Sequence, residues 1–196
     1  MHDVAAEQRS PEALPASVGS RLRALLAHRH PPQNRVVQPR RAGNPERHHE
    51  ALTVLAAARG VIQRGWIQDA WYVLRDSRGG LRIFGSGSIG RFDPTEVVQA
   101  CLVGAVVQAA WQQSPDPERS HPAVDQLWFT LQEERGLGDP LAADRICSPA
   151  VRQARVRDLA RWNDRPGRTR EDVLRLLDDT MARITRAKDA IGSTRS

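Results

Sequence analysis

Lysine is almost absent from this chain: Lys188 is the only one among 29 basic residues, so 28 are arginine. Cysteine is nearly as scarce. Cys101 and Cys147 stand 46 positions apart, with no C-x-x-C pair and no histidine at finger spacing. That excludes a disulfide scaffold and argues against a structural zinc site. With two thiols in a chain of this size, a reducing cytoplasm is the expected compartment. The longest apolar run, residues 100–107, is far short of the roughly 20 residues that span a bilayer. The opening Met1-His2-Asp3-Val4 has no basic patch followed by an apolar stretch, so neither a signal peptide nor membrane association is expected. Strand signals are also few.

What remains is a chain of 196 residues, 40% hydrophobic and 27% charged, with a formal charge of +6. The length suits one domain plus a tail, and it can bury a core without staples. The arginine excess has two readings. Guanidinium groups bind oxyanions bidentately, but GC-rich coding raises Arg together with Ala, Gly and Pro. The second is preferred unless the arginines gather on one face. The charge is uneven: residues 114–147 hold three Arg against seven Asp or Glu, while 148–196 hold twelve basic and seven acidic residues.

Six of the 13 prolines lie in the first 45 residues. That region reads as a Pro- and Arg-rich, mostly disordered tail with room for one short helix over 16–27. Asn44-Pro45 looks like a helix start, and Leu52, Leu55, Ala56 and Ile62 recur at helical spacing, predicting a helix over 46–64 that Gly65 ends. Trp71-Tyr72-Val73-Leu74 and Leu81-Arg82-Ile83-Phe84, separated by a turn-like Asp76 to Gly80, predict a β-hairpin. Asp93-Pro94-Thr95-Glu96 predicts the start of a helix over 95–111, apolar almost all round and therefore buried. Further helices are predicted over 122–134, from Ser148-Pro149 onward with Val151, Ala154, Leu159 and Trp162 inward, and over 170–187. Thr169 and Asp172 fit the cap of the last one. The expected fold is mainly α with minor β: a small helical domain over 46–190 around a buried central helix, with one short hairpin and a disordered end over 191–196.

Chemical motifs are weak. Gly85-Ser86-Gly87-Ser88-Ile89-Gly90 fits G-x-G-x-x-G, but the helix starts too late and no βαβ unit follows, so a linker is the better reading. Cys101 could be a nucleophile with His121 and Asp125 or Asn163, yet the expected helix places it two turns inside an apolar segment, where a small buried hydrophobe is the simpler role. His28, His30, His48 and His49 lie in or near the tail and read as solvated. Trp162-Asn163-Asp164 ends a helix before Pro166-Gly167. It reads either as packing and capping or as a small polar site with Arg168. Arg152, Arg155, Arg161, Arg165 and Arg170 are candidate nucleic-acid contacts, although helical phase spreads the first of these around their helix.

Three strings together resemble a family of domains of unknown function from actinobacteria and their phages. They are Gly65-Trp66-Ile67-Gln68, Cys101-Leu102-Val103-Gly104-Ala105, and Trp162-Asn163-Asp164 with Pro166-Gly167-Arg168-Thr169 and the helix after it. The resemblance covers about residues 50–185 and leaves out Gly85–Gly90. It implies no activity, cofactor or partner, but it marks Trp66, Cys101, Gly104, Trp162, Asn163 and Asp164.

The expectation is a non-catalytic cytoplasmic accessory or interaction protein with a protein partner and no cofactor, metal or membrane. The alternatives are nucleic-acid binding through 152–170, and a small-molecule or enzymatic site at Asn163, Asp164 and Arg168.

Overall fold

A computed structural model describes residues 45–85, 93–138 and 147–193. The tail, its expected helix over 16–27, His28, His30 and most of the Gly85–Gly90 stretch lie outside the described residues. Among the described residues the fold is mainly α, with five α-helices and one three-stranded antiparallel sheet. None of these helices is long and apolar enough to cross a membrane.

Helix α1 (Pro45–Arg64) buries Ala51, Val54, Leu55, Ala58, Val61 and Ile62 along one face. The hairpin follows as expected, β1 (Tyr72–Arg75) pairing with β2 (Leu81–Phe84). Asp76 closes its turn by accepting the Arg78 and Gly80 N–H groups at 2.9 and 2.8 Å.

The next segment corrects the expected helix over 95–111. Pro94–Glu96 is a single 3-10 turn, and Val97–Ala100 is a strand, β3, on the open side of β1. Only then does helix α2 (Leu102–Gln113) begin. An all-round apolar run suits a buried strand as well as a buried helix. Here the β-branched Val97 and Val98 sit beside a strand with free N–H and C=O groups, so pairing prevails over helix continuation. Cys101 is therefore the N-cap of α2 and does not lie two turns inside it.

Helix α2 is buried on nearly every side, as expected of a central helix. It packs chiefly on α1, which also packs on α3 (His121–Glu134) and α5 (Arg170–Ser193). Helix α4 (Pro149–Asn163) lies against α3 and α2. Thr169 and Asp172 form a reciprocal capping box at the start of α5, each backbone N–H donating to the other's side chain at 3.0 and 3.1 Å. That helix runs on to Ser193, beyond its expected end near 187.

The inward face of α4 also differs from expectation. Val151 is 45% exposed, while Arg152 and Arg155 join Leu159 and Trp162 inside. Positions 152, 155, 159 and 162 share one helical face. Arginine occupies two of them because an acid waits opposite.

Candidate functional site

The strings Gly65–Gln68, Cys101–Ala105 and Trp162–Thr169 meet in one place. Asn163, at the end of α4, is fully buried. Its Oδ1 accepts from the Trp66 indole Nε1 at 2.8 Å and from the Leu102 backbone N–H at 3.1 Å. Its Nδ2 donates to the Ile67 carbonyl at 3.2 Å and to Asp164 Oδ1 at 2.7 Å. A side-chain amide has two donors and room for two acceptances, so this Asn is saturated by protein groups. Asp164 Oδ1 also takes the N–H of Asp69, a non-glycine residue with φ of 60°.

The last carbonyls of α4 are handled by the same strings. Gln68 Nε2 donates to the carbonyls of Asn163 and Arg165 at 2.9 and 3.1 Å. Arg168 Nε donates to the Trp162 carbonyl at 3.3 Å, and its guanidinium lies 4.0 Å above the Trp162 ring. Helix ends leave carbonyls unpaired; here the distant Gln68 and the neighbouring Arg168, six positions beyond Trp162, supply the donors.

Glycine and cysteine complete the joint. A Cβ at Gly104 would stand 2.5 Å from the Trp71 carbonyl and 3.1 Å from the Tyr72 ring. Tyr72 Oη donates to the Gly104 carbonyl at 3.0 Å. The Cys101 N–H donates to the Trp71 carbonyl, and its Sγ accepts from the Gly104 N–H at 3.3 Å. A helix N-terminus ordinarily lowers a thiol pKa, but burial wins and pushes Cys101 up to about 12. A nucleophile needs the thiolate, and this thiol stays protonated. Gly65 makes the same kind of close approach, with the Val98 carbonyl where a Cβ would stand.

A second polar cluster escaped sequence reading. Asp125 on α3, 1% exposed, receives Arg155 Nη1 at 2.7 Å, Arg152 Nη2 at 3.3 Å and Arg47 Nη2 at 3.8 Å. The Cys147 thiol lies 3.5 Å from the same carboxylate. The Arg155 guanidinium also stacks on Trp128 and Phe129 at 4.8 and 4.7 Å. Burial, then Arg152, lowers His121 to about 4, which keeps it neutral beside these cations. The signal is the shared phase of Arg152, Arg155, Leu159 and Trp162, which places two of these arginines on the inner face and is masked because charged side chains are ordinarily exposed. His48 on α1 is buried, contrary to the solvated reading, while His49 is exposed. Among the described residues no group of three or more His, Cys, Asp or Glu could hold a metal ion.

The candidate nucleic-acid arginines therefore divide. Arg152 and Arg155 are interior. Arg170 is exposed and paired with Glu171 at 3.2 Å. Arg161 and Arg165 are exposed, and with Arg135 and Trp162 they line a cleft of about 300 Å³.

These features define a class: a mainly α domain in which a small sheet is locked onto the helices by a saturated hydrogen-bond joint. The family model of the family of unknown function DUF6197 matches residues 46–183, and the chain belongs to that family. No curated protein and no solved structure is significantly similar to it.

Proposed function

We propose that this chain is a non-catalytic accessory protein that works by holding a protein partner. The observation that carries this reading is the saturated state of Asn163. The residues most suggestive of chemistry, Asn163, Asp164, Arg168 and Cys101, spend their bonding capacity on the fold. The two free thiols suit a cytoplasmic setting. The arginine-rich, lysine-poor composition suits a family of actinobacteria and their phages.

The sheet supplies a surface for such a partner. Strand β2 is at its edge, and Leu81 and Ile83 are 63% and 72% exposed. Asp76 N–H donates to the Gly80 carbonyl, so the register turns the backbone of Gly80, Arg82 and Phe84 toward β1. The N–H and C=O groups of Leu81 and Ile83 then face outward, as an added strand requires. Arg75, Arg78 and Arg82 are exposed around this edge, whereas the local carboxylate, Asp76, is tied into the turn. The fitting occupant is an extended protein segment that alternates apolar and acidic residues.

The test is a titration of the full chain with a synthetic peptide alternating valine and glutamate, followed by amide exchange. Saturable binding with protection at Leu81 and Ile83 is expected. Ile83→Pro removes only an outward N–H, so it should leave the hairpin formed and abolish binding. Absent binding, or binding unaffected by Ile83→Pro, would overturn the reading.

A further inference from the structure

Independently of the strand edge, we propose that the cleft lined by Arg135, Arg161, Arg165 and Trp162 binds a small phosphomonoester. Arg135 is the C-cap residue of α3, Arg161 lies in the last turn of α4, and Arg165 follows that helix in its turn. All three are exposed, and among the described residues none has an ion pair or a side-chain hydrogen bond. The neighbouring cation Arg168 behaves differently, since it stacks on Trp162 and pairs with Asp172 at 3.6 Å. Glu134 feels Arg168 and Arg135 but makes no ion pair with either, and burial raises its carboxyl above the ordinary value.

Charge arithmetic selects the ligand. Two helix C-termini contribute about half a negative charge each. Three guanidinium groups against them leave the cleft lining itself at about +2, with the Glu134 carboxyl beside Arg135 outside that lining. A phosphomonoester carries about −1.5 to −2 near neutrality and offers three acceptor oxygens, a match in both charge and bidentate geometry. A monoanionic carboxylate leaves part of the repulsion uncompensated. A nucleic-acid strand would need a long continuous basic track; of the candidate arginines over 152–170, Arg152 and Arg155 are buried and Arg170 is paired, which leaves a short exposed group around Arg161 and Arg165. The cleft's volume of about 300 Å³ suits a compact group.

The experiment is calorimetric titration of the full chain with inorganic phosphate at low ionic strength, with a single-stranded oligonucleotide series as the second arm. Saturable one-site phosphate binding is expected, tightening as pH rises through neutrality, where inorganic phosphate becomes the dianion. Arg161→Ala, Arg165→Ala and Arg135→Ala should each weaken it about tenfold or more. Arg186→Ala, which removes an exposed arginine elsewhere on α5, should leave it unchanged. Circular dichroism of each variant should match the parent, because all four side chains are at the surface. No saturable phosphate binding, or equal weakening by Arg186→Ala, would overturn the proposal. So would oligonucleotide affinity that exceeds phosphate affinity and grows with length. Loss of peptide binding at β2 with phosphate binding intact would overturn only the strand-edge reading.

Discussion

Asn163 Oδ1 stands 2.8 Å from the indole nitrogen of Trp66, two residues 97 positions apart in the chain. The same oxygen takes the Leu102 N–H. One amide thus ties the start of the sheet, the N-terminus of α2 and the end of α4 together. Cutting it should loosen all three.

Asn163→Leu keeps the branching and heavy-atom count but orphans the Trp66 and Leu102 donors and the Ile67 acceptor. Each buried, unpaired group costs about 1–3 kcal/mol, so a loss of roughly 3–5 kcal/mol is expected. Urea unfolding followed by circular dichroism measures it. A loss below about 1 kcal/mol would mean that the joint contributes little to stability.

Gly104→Ala and Gly60→Ala form a matched pair. At Gly104 the new methyl meets the Trp71 backbone carbonyl at 2.5 Å, and backbone on β1 or α2 must move. Overpacking of this kind costs about 1–3 kcal/mol. At Gly60, within α1, the nearest atom is the flexible Arg64 guanidinium at 3.8 Å. There the substitution should stabilise by up to about 1 kcal/mol through helix propensity. Thermal denaturation of both variants should show shifts of opposite sign.

Asp125→Asn leaves Arg152 and Arg155 in the interior without their counter-charge. Breaking a buried pair from one side costs about 3–5 kcal/mol. The triple replacement Asp125→Leu, Arg152→Met, Arg155→Met removes the charges together and should be the more stable of the two proteins. Denaturant midpoints decide the order.

Acid should destabilise the fold through His121. Its folded pKa of about 4 lies below the ordinary value of 6.5, chiefly because burial penalises the imidazolium. The unfolded chain therefore binds the proton more readily, so stability is full above about 6.5 and falls as pH drops toward 4. The span is on the order of 2–3 kcal/mol, reduced by the partial exposure of the ring. Urea titrations across that window should show the fall, and His121→Gln should flatten it.

Much of the fold was legible along the chain because the relevant interactions are local. Helical spacing marks Leu55 and Ile62 of α1 and Val173, Leu176, Leu177 and Ile184 of α5, all of which belong to the hydrophobic core; Leu52 packs against that core half-buried, and Ala56, expected with them, is exposed. Thr169 and Asp172 announced their reciprocal cap three residues apart. The hairpin was visible from two short β-prone runs around an Asp–Gly turn.

Strand β3 was not visible, since residues 97–100 suit helix or strand equally until β1 offers them its free edge. Nor was the inward turn of Arg152 and Arg155, because charge predicts exposure unless a carboxylate such as Asp125 is already buried opposite. The strings around Trp66, Cys101 and Asn163 could be read but not joined.

Through periodicity and capping at ranges of a few positions, the sequence by itself determined most of the helices and the hairpin, and it displayed residues such as Asn163, Cys101, Arg161 and Arg165. Only the tertiary structure decided what those residues do. Asn163 became a buried clamp, Cys101 a closed cap, and Arg161 and Arg165 cleft walls with Arg135. Burial and long-range hydrogen bonding, which set those roles, arise between segments up to 97 positions apart.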